Sequence, residues 1–332
     1  MYLNQAKNHL GTLLKETIPT FLWGSPGIGK SSIVKQICEE KKWQIVDLRL
    51  SLLNPVDLRG LPYMNEGKDT AIWLRPEFLP IEGDGWKEHG ILFLDELNTA
   101  PTSVQIAAYQ LLLDRQIGNY KFPKKWRMIA AGNRETDKAS VTRMPSPLAN
   151  RLIHLEVEAN IDDWKKWAVD HIDERIIAFL NYRPALLSTL PKEEVKAYPT
   201  PRSWDFVSRL LKIYPDYDSA ENVIEGTVGE GASKEFFAFL GIYKDLPDVD
   251  KILEGKEHSI PKKTDVLYAL VGALTAKLKD SNLDNFMIYV MKMQPEFSTL
   301  AVRDAARSGW HKKIQESKYW NKWANKFSSF LD

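Results

Sequence analysis

The sequence predicts an α/β fold, a doubly wound parallel five-stranded sheet, followed by an all-α domain and a helical extension. Three observations carry this. Short apolar runs alternate with segments of helical spacing through the first half of the chain, the pattern of strands buried on both faces of a parallel sheet. A glycine-rich loop, "GSPGIGKSS", joins the first such run to the first helical segment. From about residue 160 the texture is helical throughout, punctuated by Pro184, Pro191, Pro199, Pro201 and Pro215.

The five strands are read at 20–23 ("TFLW"), 44–50 ("QIVDLRL"), 91–96 ("ILFLDE"), 127–133 ("RMIAAGN") and 152–157 ("LIHLEV"). Between them, "KSSIVKQICEEKK" and "SVQIAAYQLLLDR" have helical period, the second placing Val104, Ala107, Ala108 and Leu111 on one face. Two insertions interrupt the alternation. "LPYM" and "TAIWL" flank the turn "NEGKD", and "QIGNYKFP" carries Gly118 and Asn119 at its tip, so both read as hairpins. Trp73 and Tyr63 on the first hairpin are candidates for contact with a substrate. Trp164, Trp167 and Trp204 fall at helical positions and read as packing. The C-terminal segment reads as a basic amphipathic helix with Trp310, Ile314, Trp320, Trp323, Phe327 and Leu331 on one face. That face is expected to cover the body of the protein, with the lysines solvated. The expected domains are 1–158 (nucleotide-binding), 159–245 (lid) and 246–332 (extension).

Composition excludes several classes. Net charge is +1, from 45 basic and 44 acidic side chains, so bulk charge does not hold this chain to nucleic acid or membrane. One cysteine, Cys38, rules out an internal disulfide framework and suits a reducing compartment; on the helix after the loop it reads as a buried, inert thiol. No apolar stretch approaches the roughly 20 residues of a membrane span. A cytoplasmic protein is the expectation.

The loop carries the chemistry. Gly24 to Ser31 satisfies G-x-x-x-x-G-K-[ST] between a strand and a helix. Glycines let backbone N–H groups converge on phosphate oxygens, and the helix N-terminus adds partial positive charge. Gly24, Ser25, Pro26, Gly27, Ile28, Gly29, Lys30, Ser31 and Ser32 are the expected nucleotide contacts. Lys30 would reach the β- and γ-phosphates of ATP, and the Ser31 hydroxyl would hold Mg²⁺. "ILFLDE" ends in Asp95 and Glu96 at a strand's C-terminal tip, the edge at which such sheets bind ligands. Asp95 is the expected second Mg²⁺ ligand, and Glu96 the base that polarises water. Asn133 ends the fourth strand and could orient the same water, or be an ordinary turn residue.

These segments resemble AAA+ ATPases, and within them the MoxR branch, over about residues 20–209. "LDELNTAPTSVQIAAYQLLLDRQIGNYKFP" is the most specific stretch; "DLRGLPYM" with "WLRPEFLP" resembles the helix-2 insertion and "MIAAGNRE" the sensor-1 strand. Thr99 departs from the arginine common there, so no role of that arginine is carried over. The resemblance implies that Asn133 is sensor 1 and that Arg151, in "SPLANRLIHLEV", is an arginine finger acting on a neighbouring subunit, with Arg143 as the competing candidate. It also implies that Arg202, opening "PRSWDFVSRLL", is a sensor 2 that couples the γ-phosphate to the lid. The implied protein is a homohexameric, chaperone-like ATPase that remodels or activates a separate partner containing a von Willebrand factor A domain. The alternative is a nucleic-acid-directed AAA+ motor or loader, against which the near-zero net charge counts. A switch that holds ATP without splitting it is opposed by the complete acidic pair.

Overall fold

A computed structural model describes residues 1–64, 71–83, 85–137, 144–191, 193, 195–214, 216–243 and 246–327. The turn at 65–69, Arg143 and Leu331 lie outside them. The chain divides into two compact units, Met1–Glu158 and Ala159–Asp332.

Among the described residues the first unit has nine strands: β1 (Thr20–Trp23), β2 (Gln44–Arg49), β3 (Leu61–Met64), β4 (Ala71–Leu74), β5 (Gly90–Asp95), β6 (Gln116–Ile117), β7 (Tyr120–Lys121), β8 (Trp126–Gly132) and β9 (Ile153–Glu156). Five form the main sheet in the order β2-β5-β8-β1-β9, every pairing parallel. The expected doubly wound sheet is therefore present. Its central strands are apolar because both faces are covered: Ile91, Leu92, Phe93 and Leu94 of β5 are fully buried, as are Phe21 and Leu22 of β1. Parallel pairing has a consequence for chemistry, since all five C-terminal ends lie along one edge. β3–β4 and β6–β7 are separate antiparallel hairpins at the expected insertions. Leu61, Tyr63, Met64, Trp73 and Leu74 leave the first hairpin with an exposed apolar surface. The second lies against it, Gly118 facing the Trp73 ring.

A helix at Leu3–Leu13, not anticipated from the sequence, buries Ala6 and Leu10. Its neighbour, Lys30–Lys41, follows the glycine loop and buries Cys38, whose thiol burial pushes up to about 11. The thiol is buried, as expected.

Among the described residues the regular elements of the second unit are all helices. One buried cluster gathers Trp164, Phe179, Trp204, Phe236 and Phe239; another gathers Phe286, Tyr289, Phe297, Trp323 and Phe327. Trp164 and Trp204 thus pack as expected, while Trp167 stacks on His171 at 4.7 Å. The helix at Pro295–Ala305 supplies Asp304, which pairs with buried Lys165 at 2.5 Å while Asn181 bonds to both. Burial lowers the Lys165 pKa, and Asp304 opposes it.

The C-terminal segment corrects one expectation. It is two short helices, His311–Glu316 and Trp320–Phe327, rather than one. Ile314, Trp323 and Phe327 are buried against the body. Lys313 and Lys318 are ion-paired with Asp280 and Asp284 rather than merely solvated. Among the described residues no helix is long and apolar enough to cross a membrane.

Candidate functional site

The loop after β1 is tight for steric reasons. A Cβ on Gly24 would lie 2.6 Å from the Ile28 side chain and 2.8 Å from the Val157 carbonyl oxygen. Gly29 has φ 108°, a left-handed conformation that side chains resist, and it delivers the chain into the helix at Lys30. Ile28 is buried beneath the loop, leaving the backbone of the neighbouring glycines for a ligand.

Lys30 is buried to 8% exposure. Its ammonium donates to the carbonyl oxygens of Gly24 (2.5 Å) and Ser25 (3.1 Å) and to Asn133 Oδ1 (3.1 Å). The structure therefore brings Asn133, 103 residues away in sequence, directly onto the loop lysine. Asp95 stands at the end of β5, where burial raises its pKa while the Glu96 N–H and the Lys30 charge lower it. A partly desolvated carboxylate facing one lysine is a site that a divalent cation would relieve. Ser31 opens the same helix one residue after Lys30, half-buried, and Ser32 is exposed.

Glu96 does not extend the strand as expected. It sits in a left-handed turn at φ 57°, and its carboxylate accepts a hydrogen bond from Ser51 Oγ at the end of β2. Thr99 bonds back to the Glu96 carbonyl (3.0 Å) and so closes that turn.

Three contributors escaped the sequence reading. Asn98, 1% exposed, donates from Nδ2 to the Asn133 carbonyl (2.7 Å) and accepts from the Asn133 N–H (3.1 Å). It fixes the backbone of Asn133 by both polar groups. Asp137 accepts from Ser25 Oγ (3.1 Å) and from the Arg134 N–H (3.1 Å), bridging the loop to the turn after β8. Ser51 holds Glu96. Asn98 lay within the quoted "LDELNT" without a role; Ser51 and Asp137 had no local signal at all.

One predicted residue of this unit, Arg151, is not in the cluster. Arg151 precedes β9, whose Ile153 pairs with Thr20 at the start of β1. It therefore stands at the sheet edge opposite the loop, about four strand residues or roughly 13 Å away along the strand direction. There it lines a groove with Ile106, Tyr109, Gln110, Leu113 and Asp114. Arg202 belongs to the second unit, exposed in the first turn of the helix Pro201–Ile213, which Thr200 caps.

Residues 19–152 match the family model of the AAA domain (dynein-related subfamily). The matched stretch holds the glycine loop, the acidic pair, Asn133 and Arg151. Among solved structures the chain is similar to a candidate ATPase of Cytophaga hutchinsonii, at 13% identity over 90% of this chain and 79% of that one, with a TM-score of 0.35. It is also similar to a point mutant of Thermotoga maritima RuvB, at 16% identity over 82% and 81%, with a TM-score of 0.40. The ADP complex of Brucella abortus NtrX is 15% identical over 94% and 67%, with a TM-score of 0.41. The AAA-type domain rests on the family match and on the sheet itself.

Proposed function

We propose that this chain is a Mg²⁺-dependent ATPase that works as a homohexameric ring and remodels or activates a separate protein. The observation that carries the reading is the convergence of Lys30, Asn133 and Asp95 at one sheet edge, with Arg151 at the other. A residue at that far edge is out of reach of its own loop, which supports a role at a neighbour's.

The residues present fit a nucleotide and its metal. The backbone N–H groups of Gly27 and Gly29 have no side chains of their own in the way, and Lys30 would supply the charge for the β- and γ-phosphates. Ser31 and Asp95 would hold Mg²⁺, which offsets phosphate charge when bound. With phosphate present, the Lys30 ammonium exchanges its bonds to loop carbonyls for stronger charge-assisted ones. Glu96 holds the proton of the attacking water, and Asn133, clamped by Asn98, orients that water. Arg151 of one subunit neutralises charge on the phosphoryl group held by the next, an effect worth about 10³–10⁵ in rate for arginine fingers. Arg202 is assigned to the γ-phosphate on the MoxR resemblance alone. The same resemblance supports a partner with a von Willebrand factor A domain, and the single cysteine, Cys38, supports a cytoplasmic location. The exposed apolar hairpin β3–β4, with Tyr63 and Trp73, is the surface offered to that partner or its substrate.

The test is turnover per subunit across a concentration series with Mg²⁺, alongside Arg151→Ala. Turnover that climbs steeply with concentration, and an Arg151→Ala variant that binds a fluorescent nucleotide normally but does not hydrolyse ATP, are the expected results. A full rate from a chain sized as a monomer refutes the ring.

A further inference from the structure

Trp23 ends β1 and is bonded covalently to Gly24, the first residue of the loop. Its indole Nε1 donates to His154 Nδ1 at 2.8 Å. Because Nδ1 accepts, the imidazole proton is on Nε2, and Nε2 lies 2.7 Å from the Ala149 carbonyl oxygen, to which it donates. The two rings stack at 6.0 Å with 25° between planes, and the indole also rests on Phe21 at 4.2 Å. In the ladder His154 pairs with Phe21 and Trp23 pairs with Glu156, so the indole reaches back along the strand to meet the imidazole. Ala149 ends the short helix Ser146–Ala149, two residues before Arg151.

One rigid ring therefore joins the two edges of the sheet. At one end is the residue from which the phosphate loop departs; at the other is the carbonyl that positions the segment carrying Arg151. His154 is exposed, so burial does not explain it. Two bonds of opposite polarity, one accepted and one donated, define its tautomer and its orientation together.

We infer that His154 is a positioning residue for Arg151, and that the chain Trp23–His154–Ala149 ties a subunit's own phosphate loop to the arginine it presents to the next subunit. The inference rests on the ring reading above.

The experiment uses mixed rings of the full chain. Lys30→Ala subunits keep Arg151 but lose their loop; Arg151→Ala subunits keep the loop but lose the arginine. Mixed, they restore turnover at interfaces that pair an intact loop with an intact arginine. His154→Phe is then placed on one parent or the other. On the Lys30→Ala parent, the arginine donor, restored turnover falls about 10–100-fold, the scale of a reacting group misplaced by about 1 Å. On the Arg151→Ala parent it changes less than about twofold. Trp23→Phe, which keeps an aromatic ring on Phe21 and removes only the Nε1 donor, gives the same asymmetry and serves if His154→Phe does not fold. No restoration in the parental mixture overturns the ring reading and this inference with it. Restoration followed by equal loss on both parents, or by no loss on either, overturns the inference and leaves the ring reading standing.

Discussion

Replacing Asn98 with alanine tests the clamp on Asn133. The carboxamide is 1% exposed and makes two hydrogen bonds to one residue's backbone, at 2.7 and 3.1 Å. Removing it strands an N–H and a C=O, each costing about 1–3 kcal/mol when buried. Asn133 is half-buried, so water recovers part of this, and the expected loss is about 2–4 kcal/mol. The assay is urea denaturation of the first unit's transition, read as a lowered midpoint at constant slope. Asn98→Asp sharpens it. The aspartate keeps an acceptor for the Asn133 N–H but turns a carboxylate oxygen onto the Asn133 carbonyl, so its loss should equal or exceed alanine's. Gly132 supplies a third arm, because a Cβ there lies 2.7 Å from Asn98 Cγ and 2.8 Å from Phe21 Cζ. Asn98→Ala relieves the first clash and not the second. The double variant with Gly132→Ala should be more stable than the sum of the singles by about 1 kcal/mol or more. Asn98→Ala and Asn98→Asp both within about 0.5 kcal/mol of wild type, the range of inconsequential surface changes, would refute the clamp.

Cys38 and Trp323 give two independent checks. The Cys38 thiol is raised from 9.0 to about 11 by burial, so the folded state binds its proton more tightly than the unfolded state. Its contribution is complete below pH 9 and is lost as pH rises towards about 11. Stability should fall over that window in the wild type and less steeply in Cys38→Ala, measured by denaturant midpoint at each pH; identical slopes would exclude the thiol as the cause. Trp323, 1% exposed, donates to Ser298 Oγ at 2.8 Å inside the second unit's core. Trp323→Ala should cost about 3–5 kcal/mol on that unit's thermal transition, and a shift smaller than that of an exposed-lysine control such as Lys322→Ala would show the C-terminal helix to be dispensable.

The glycine loop, the five strands, both hairpins and the acidic pair were legible because each depends on neighbours in sequence. Strand period and burial write an apolar run, a left-handed turn writes a glycine, and a phosphate cradle writes G-K-S. The N-terminal helix was legible in principle, since Ala6 and Leu10 share a helical face with Leu3 and Leu13, yet polar residues diluted its pattern. The C-terminal face was read correctly at Ile314, Trp323 and Phe327 but assigned to one helix, because the amphipathic period continues across the break at Ser317.

What the tertiary structure decided is which distant side chains hold the chemical ones. Ser51 meets Glu96 only because β2 and β5 are adjacent in the sheet. Asp137 meets Ser25, and Asn98 meets Asn133, because parallel pairing draws the strand ends to one edge. His154 and Trp23 meet because β9 pairs with β1. Such contacts depend on strand order and register, which long-range packing fixes, so a local window of sequence identifies the reacting groups and leaves their supports invisible.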